Sequence, residues 1–153
     1  MLAKTQDAMT HTARSAAVAA DPMLKQLLTQ HLVVLAVAEA EDALEEIIVH
    51  YFHTTTTPAA KSLAQSCLSS LLRSVKTSEI AGFLNRLGLP FKENFQAEMR
   101  ALAPDESRFN NLIVNRHSIV HEAQCNITFE ELRDSVVSVQ RICDALRRSL
   151  SGA

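Results

Sequence analysis

Hydrophobic residues recur along this chain at the three- and four-residue spacing of a helix, and no stretch alternates as a β-strand would. The longest series runs from residue 22 to residue 52 without a breaking residue, which predicts one helix of about 45 Å. Asp21 and Pro22 mark its start, because aspartate can cap free N–H groups and proline suits the first helical position. Its apolar members are Leu24, Leu28, Leu32, Leu35, Leu44, Ile47, Ile48 and Tyr51.

Shorter helices are predicted in the middle of the chain. Thr57 with Pro58 repeats the start signal and precedes an apolar series at helical spacing, made up of Leu63, Cys67, Leu71 and Val75. The next segment opens at Thr77 or Ser78, and its inward-facing residues should be Ile80, Phe83, Leu84 and Leu87. We expect Gly88 and Pro90 to end it, since glycine is favoured just past a helix and proline cannot continue one.

Two further helices precede the C-terminal one in this interpretation. An amphipathic segment covers residues 91–102. Asp105 is then predicted to cap the helix that carries Phe109, Leu112 and Ile113, because aspartate is a preferred residue at the position before a helix.

The C-terminal segment has the clearest helical pattern. Thr128 and Glu131 match a capping box, in which each side chain accepts a hydrogen bond from the other's backbone. Seven apolar residues follow at alternating spacings of three and four, which is the pattern of a helix that packs lengthwise on another, in its own chain or in a partner: Phe129, Leu132, Val136, Val139, Cys143, Leu146 and Leu150.

These segments predict an all-α, up-and-down helical bundle framed by its two longest helices. Residues 1–20 are rich in alanine and threonine. They could form either a helix that leads into the domain or a frayed chain end. Residues 21–153 should form a single domain, since a chain of 153 residues is long enough for one hydrophobic core.

Composition narrows the class of protein. Apolar residues make up 47% and charged residues 21%, as in ordinary globular domains. The net charge of −2 gives no support to non-specific binding of nucleic acid, so a polyanion would need a local cluster of cations. The three cysteines form no CxxC pattern, which predicts a cytoplasmic protein without disulfides. No apolar leader is seen, which agrees with that location. No apolar run reaches about 18 residues, so no membrane span is predicted.

A dense polar run, "VNRHSIVHEA" at residues 114–123, interrupts the buried pattern of its helix. Arg116 and His121 are five residues apart, and in an unbroken helix their side chains diverge by about 140°. They can converge only if the helix loosens near His121 or if two copies of the chain meet there. His117 and His121 are four apart and should share one face.

This run resembles the Arg-x4-His motif of HEPN domains, with His117 as the polar residue after the arginine. The stretches "EEIIVHYF" and "SSLLRSVKTSEIAGFL" are similar to the small stand-alone families of the RiboL-PSP-HEPN and MAE_28990 types. The resemblance covers most of residues 22–150. It implies a HEPN-type bundle that dimerises along the motif helix.

The resemblance further implies a metal-independent endoribonuclease without a cofactor. It acts as a homodimer on RNA, and many relatives are toxins or defence proteins restrained by a cognate antitoxin. His121 is then the general acid or base, because histidine exchanges protons near neutral pH. Arg116 holds the phosphate, and His117 orients either group.

Other residues are expected to support that site. Arg108 and Asn115 are candidates for contacting RNA. One carboxylate of the acidic run "EAEDALEE" should hold Arg116, with Glu46 as the candidate, although such a run is more often a solvated helix face. One departure concerns regulation: some relatives carry a modified tyrosine two residues after the motif histidine, and Ala123 stands there.

Three alternatives remain open. Arg116 and His121 could belong to a structural network between helices. His117 and His121 could bind a metal, but that site needs a third ligand and the chain has no HExxH pattern. The domain could also be a catalytically inactive HEPN module that binds RNA, a nucleotide or a partner protein.

Overall fold

A computed structural model describes residues 2–55, 57–58, 75–122 and 124–152 of the protein. Within these ranges every element is a helix and there is no strand, which confirms the all-α prediction. The predicted helix through Leu63, Cys67 and Leu71 lies outside the described residues. The described helices are α1 (Ala3–Arg14), α2 (Ala16–Ala20), α3 (Pro22–Thr55), α4 (Thr77–Leu87), α5 (Leu89–Ala101), α6 (Ala103–Glu122) and α7 (Phe129–Ser151).

Helix α3 is the long helix that the apolar series predicts, and it runs unbroken from Pro22 to Thr55. Its start is the one indicated by the sequence. Asp21 Oδ1 accepts hydrogen bonds of 2.9 Å from the N–H of Met23 and 3.1 Å from that of Leu24. Among the described helices, none is long and apolar enough to cross a membrane.

Helix α7 packs along α3 and α6 of its own chain. The predicted capping box is present, since Thr128 N–H donates to Glu131 Oε2 at 2.8 Å and Glu131 N–H donates to Thr128 Oγ1 at 3.2 Å. Near their starts, α3 and α7 are joined by an ion pair of 3.1 Å between Lys25 and Glu130. The two helices therefore run in the same direction. Helix α6 runs antiparallel to both, because Asp105 near its start bonds to Ser138 in the middle of α7, whereas Asn115 late in α6 bonds to Asn126 just before α7 begins.

The middle helices α4 and α5 follow the predicted pattern closely. Helix α4 begins at Thr77, whose side chain is buried and donates a hydrogen bond of 2.6 Å to Glu106 of α6. Gly88 separates α4 from α5 with a φ of +153°, a backbone conformation that other residues rarely adopt. Both helices therefore meet at a sharp turn that depends on glycine.

Asp105 does not cap α6, so that prediction is wrong. Helix α6 begins at Ala103, which places Asp105 inside its first turn, and the residue is only 5% exposed. Ser138 Oγ donates to Asp105 Oδ1 at 2.8 Å, and Arg141 Nη1 donates to Oδ2 at 3.1 Å. The residue has a tertiary role instead, because it joins the start of α6 to the middle of α7.

The N-terminal stretch forms α1 and α2, and both helices pack on α3. Leu2 and Met9 belong to the hydrophobic core. Glu39 of α3 accepts hydrogen bonds at the start of α1 from Lys4 N–H (3.1 Å), Thr5 N–H (2.8 Å) and Thr5 Oγ1 (2.6 Å). One carboxylate of the acidic run is thus a tertiary cap for α1.

Candidate active site at the C-terminal end of α6

His117 and His121 form a pair on the solvent-facing side of α6, in its last two turns. Their ring centroids are 4.4 Å apart and their planes are inclined by 48°. Both side chains are exposed. The spacing of four residues predicts this shared face, and the structure confirms it.

Arg116 lies on a different side of α6 from these histidines. It is half-buried and has the helical phase of Phe109 and Leu112, both of which are fully buried in the core. Helix α6 continues without interruption to Glu122, so the helix does not loosen near His121. Arg116 and His121 of one chain therefore diverge by about 140° around the helix axis. The structure therefore does not bring these two side chains together within one chain.

Asn115 is not placed to contact RNA, which corrects the role expected for it. The residue is only 4% exposed. Its Nδ2 donates hydrogen bonds of 3.0 Å to the carbonyl oxygen and to Oδ1 of Asn111, and its Oδ1 accepts one of 2.8 Å from Asn126 N–H. The side chain is therefore engaged within the protein, and it ties α6 to the turn that follows.

The turn after α6 is held at several further points. Gln26 Nε2 of α3 donates a hydrogen bond of 3.2 Å to the carbonyl oxygen of Cys125. Ile127 is buried in the core. Sequence reasoning missed this anchoring role of Gln26 and Asn115. The one available signal was that Asn115 follows Leu112 by three residues, which is a buried position in a helix with this pattern.

Arg108 is exposed and carries partly compensated charge. Its guanidinium is 3.9 Å from the carboxylates of both Asp105 and Asp134. Half of its side chain remains open to solvent. Its contact with RNA stays a prediction, and the two neighbouring carboxylates would weaken its attraction for phosphate.

Glu46 lies at the opposite end of the bundle from Arg116, so its predicted pairing with that arginine is wrong. The start of α3 is beside the turn after α6, through the bond between Gln26 and Cys125. Glu46 is further along α3 by a stretch of about 30 Å. There it lines a cavity of about 680 Å³ together with Arg147 and Leu150, near the end of α7.

Within the part of the chain that the structure describes, no group of three or more His, Cys, Asp or Glu side chains is suited to hold a metal ion. The third ligand that a conventional zinc site would need beside His117 and His121 is therefore not found among these residues.

A protein-family model described as RiboL-PSP-HEPN matches residues 4–152, from the first turn of α1 to the end of α7. The comparisons found no match among curated proteins and none among solved structures.

Proposed function

The chain belongs to the RiboL-PSP-HEPN family, and from this membership and the geometry of α6 we propose that it is a metal-independent endoribonuclease that acts as a homodimer. The active site is composite, with Arg116 from one copy and His121 from the other. His117 lies beside His121 and orients it. RNA is the substrate.

The observation that carries this proposal is the exposed histidine pair at the end of α6. Two imidazoles with ring centroids 4.4 Å apart face solvent on adjacent turns, where a polynucleotide can reach them. Exposure alone does not distinguish these histidines, since His31 and His53 are exposed as well, but the pairing of two rings within the motif does. Proton transfer by histidine at neutral pH typically contributes a factor of about 10² to 10⁴ to a reaction rate.

Cleavage of RNA without a metal needs two kinds of group. A base removes the proton of a 2′-hydroxyl, whose oxygen attacks the adjacent phosphorus. The bond to the 5′-oxygen breaks as that oxygen receives a proton, and a 2′,3′-cyclic phosphate remains. His121 exchanges these protons, and Arg116 stabilises the added negative charge on phosphorus because its guanidinium is always charged and forked.

The side chains of Arg116 and His121 point in different directions around the axis of α6, which favours an active site built from two copies of the chain. The two side chains diverge within one copy, so a single site needs contributions from both. Val114 lies one turn before His117 on the same face, and it is 44% exposed. An exposed apolar residue beside the histidines favours protein–protein contact along α6, where burial would stabilise a dimer.

The experiment that tests this proposal is cleavage of total RNA and of a tRNA pool in the presence of EDTA. Wild type should cleave and leave 2′,3′-cyclic phosphate ends, whereas His121→Ala should not. His31→Ala is the matched control, since His31 is an exposed histidine of α3 outside the motif. Circular dichroism and thermal unfolding should show that all three proteins are folded.

Two outcomes would contradict the proposal. Intact RNA after incubation with a folded wild-type dimer would favour a binding module instead. Cleavage that persists in His121→Ala would mean that the activity does not come from this site.

We place the biological role with toxins or defence proteins, which a cognate partner protein restrains. This role rests on family membership and predicts that expression of wild type slows growth. Expression of folded His121→Ala to the same level should not slow it, because the effect requires cleavage of cellular RNA.

A further inference from the structure

The paired histidines have a second chemical capacity besides proton transfer. Two histidines four residues apart on one helix face can chelate a divalent transition metal through one ring nitrogen each. His117 and His121 have this spacing, their ring centroids are 4.4 Å apart, and both rings are open to solvent. A metal ion can therefore reach both rings without any rearrangement of the core.

The electrostatic surroundings on α6 also favour a cation at this pair. The C-terminal end of a helix carries partial negative charge from its free carbonyl groups, and His121 lies in the last turn. Glu122 follows His121 and is exposed. Arg116, the nearest positive charge of the motif, points about 140° away from His121 around the helix axis.

We propose that His117 and His121 form a bidentate site for a divalent transition metal such as Zn²⁺ or Ni²⁺, and that occupancy of this site inhibits the ribonuclease. The binding step stands on the geometry of α6 alone, whereas the inhibition rests on the proposed function. Water fills the remaining coordination positions. Structural and catalytic zinc sites have three or four protein ligands. A site with only two protein ligands has a lower affinity, so it binds its ion reversibly.

Inhibition follows from competition for the same nitrogen atoms. A metal ion binds the lone pair of an unprotonated imidazole, so a metal-bound His121 can neither accept nor donate a proton. The same competition predicts weaker metal binding at lower pH. Mg²⁺ prefers oxygen ligands and should neither bind this pair nor inhibit.

The first test measures metal binding directly, without RNA. Isothermal titration of the whole 153-residue chain, stripped of metal with a chelator, with NiCl₂ should give one site per chain. His117→Ala and His121→Ala should each weaken binding by at least about tenfold, which corresponds to about 1.4 kcal/mol. His53→Ala is the matched control, since His53 is also an exposed histidine in the last turn of its helix.

The His53→Ala control distinguishes metal binding at His117 and His121 from metal binding at the end of α3. Unchanged affinity in His117→Ala, or loss of binding in His53→Ala, would overturn the proposed site. Retained affinity in His53→Ala together with weakened binding in both motif variants would support it.

The second test measures cleavage of RNA by wild type with added ZnCl₂. Activity should fall as the site fills, return when EDTA is added, and stay unchanged with MgCl₂. Full activity at a Zn²⁺ concentration that saturates the site would overturn the inhibition while leaving the ribonuclease intact. Metal binding at the pair in a protein that never cleaves RNA would instead contradict the proposed function and support the site.

Discussion

Asn115 Oδ1 accepts a hydrogen bond of 2.8 Å from the backbone N–H of Asn126, across the turn that joins α6 to α7. Asn115 directly precedes Arg116, so this bond holds the turn in a constant position relative to the motif. The residue is buried, and its amide also bonds to Asn111. These hydrogen bonds engage both polar atoms of the Asn115 side chain, which explains how a polar residue can occupy a buried position of α6.

Asn115→Ala should lower the free energy of unfolding by about 1 to 2 kcal/mol, because it removes the acceptor of the Asn126 N–H and leaves a small cavity. Denaturant unfolding measures this loss. Asn111→Ala is the matched control: Asn111 is exposed, and its substitution removes only the bond that its Oδ1 accepts from Asn115. An equal loss in both variants would contradict the anchoring role of Asn115.

Mixing two inactive variants should restore part of the ribonuclease activity. In a mixed dimer of Arg116→Ala and His121→Ala, one of the two composite sites contains both wild-type residues. If half of the dimers are mixed, about a quarter of all sites are intact. Cleavage rates of the refolded mixture and of each variant alone test this expectation. No recovery in a mixture shown to contain mixed dimers would contradict a site that takes Arg116 from one chain and His121 from the other.

Asp105 should make the stability of the protein depend on pH in the acid range. Burial acts to raise its pKa, but hydrogen bonds from Ser138 and Arg141 outweigh it, so the pKa lies below the usual value of 3.8. A carboxyl whose pKa is lowered by folding contributes stability above its unfolded pKa and loses it as the pH falls through the folded pKa. Asp105→Asn should therefore cost about 2 kcal/mol at pH 7 and progressively less below about pH 4.

Unfolding in denaturant at a series of pH values, for wild type beside Asp105→Asn, measures this dependence. Asp134→Asn is the matched control, because Asp134 is an exposed carboxylate whose nearest arginine atom is 3.9 Å away. A constant difference between wild type and Asp105→Asn from pH 7 down to pH 2 would show that the charge of Asp105 is not what stabilises the fold.

Glu39→Ala should release the start of α1 from α3. The carboxylate accepts three hydrogen bonds from Lys4 and Thr5, two of which come from backbone N–H groups with no partner inside the helix. We expect a loss of about 1 to 2 kcal/mol, the usual cost of removing a helix cap. Amide hydrogen exchange at Lys4 and Thr5 should become faster, because these N–H groups lose their acceptor.

Glu46→Ala serves as the comparison for Glu39→Ala, since Glu46 belongs to the same acidic run but is exposed at the far end of α3. It should leave hydrogen exchange in α1 unchanged. It should also leave RNA cleavage unchanged, because Glu46 does not reach Arg116. Loss of cleavage in Glu46→Ala would contradict the placement of the site at the end of α6.

Local signals in the sequence predicted most of the helices. Asp21 with Pro22 marked the start of α3, and Thr128 with Glu131 marked the start of α7, because helix caps depend on residues within one turn. The prediction that Asp105 caps α6 is wrong for a related reason. An aspartate near a helix start satisfies the local pattern of a cap, and only the position of Ser138 and Arg141 on α7 shows that its partners are elsewhere.

The sequence by itself determined the all-α class, the order of the described helices from α3 to α7, and the shared face of His117 and His121. Each of these follows from helical periodicity over a few residues. Only the tertiary structure decided that Asn115 anchors a turn, that Glu39 caps α1, and that Glu46 is far from Arg116. These relationships join residues on different helices, and the phase of one helix carries no information about how far along its neighbour a partner lies.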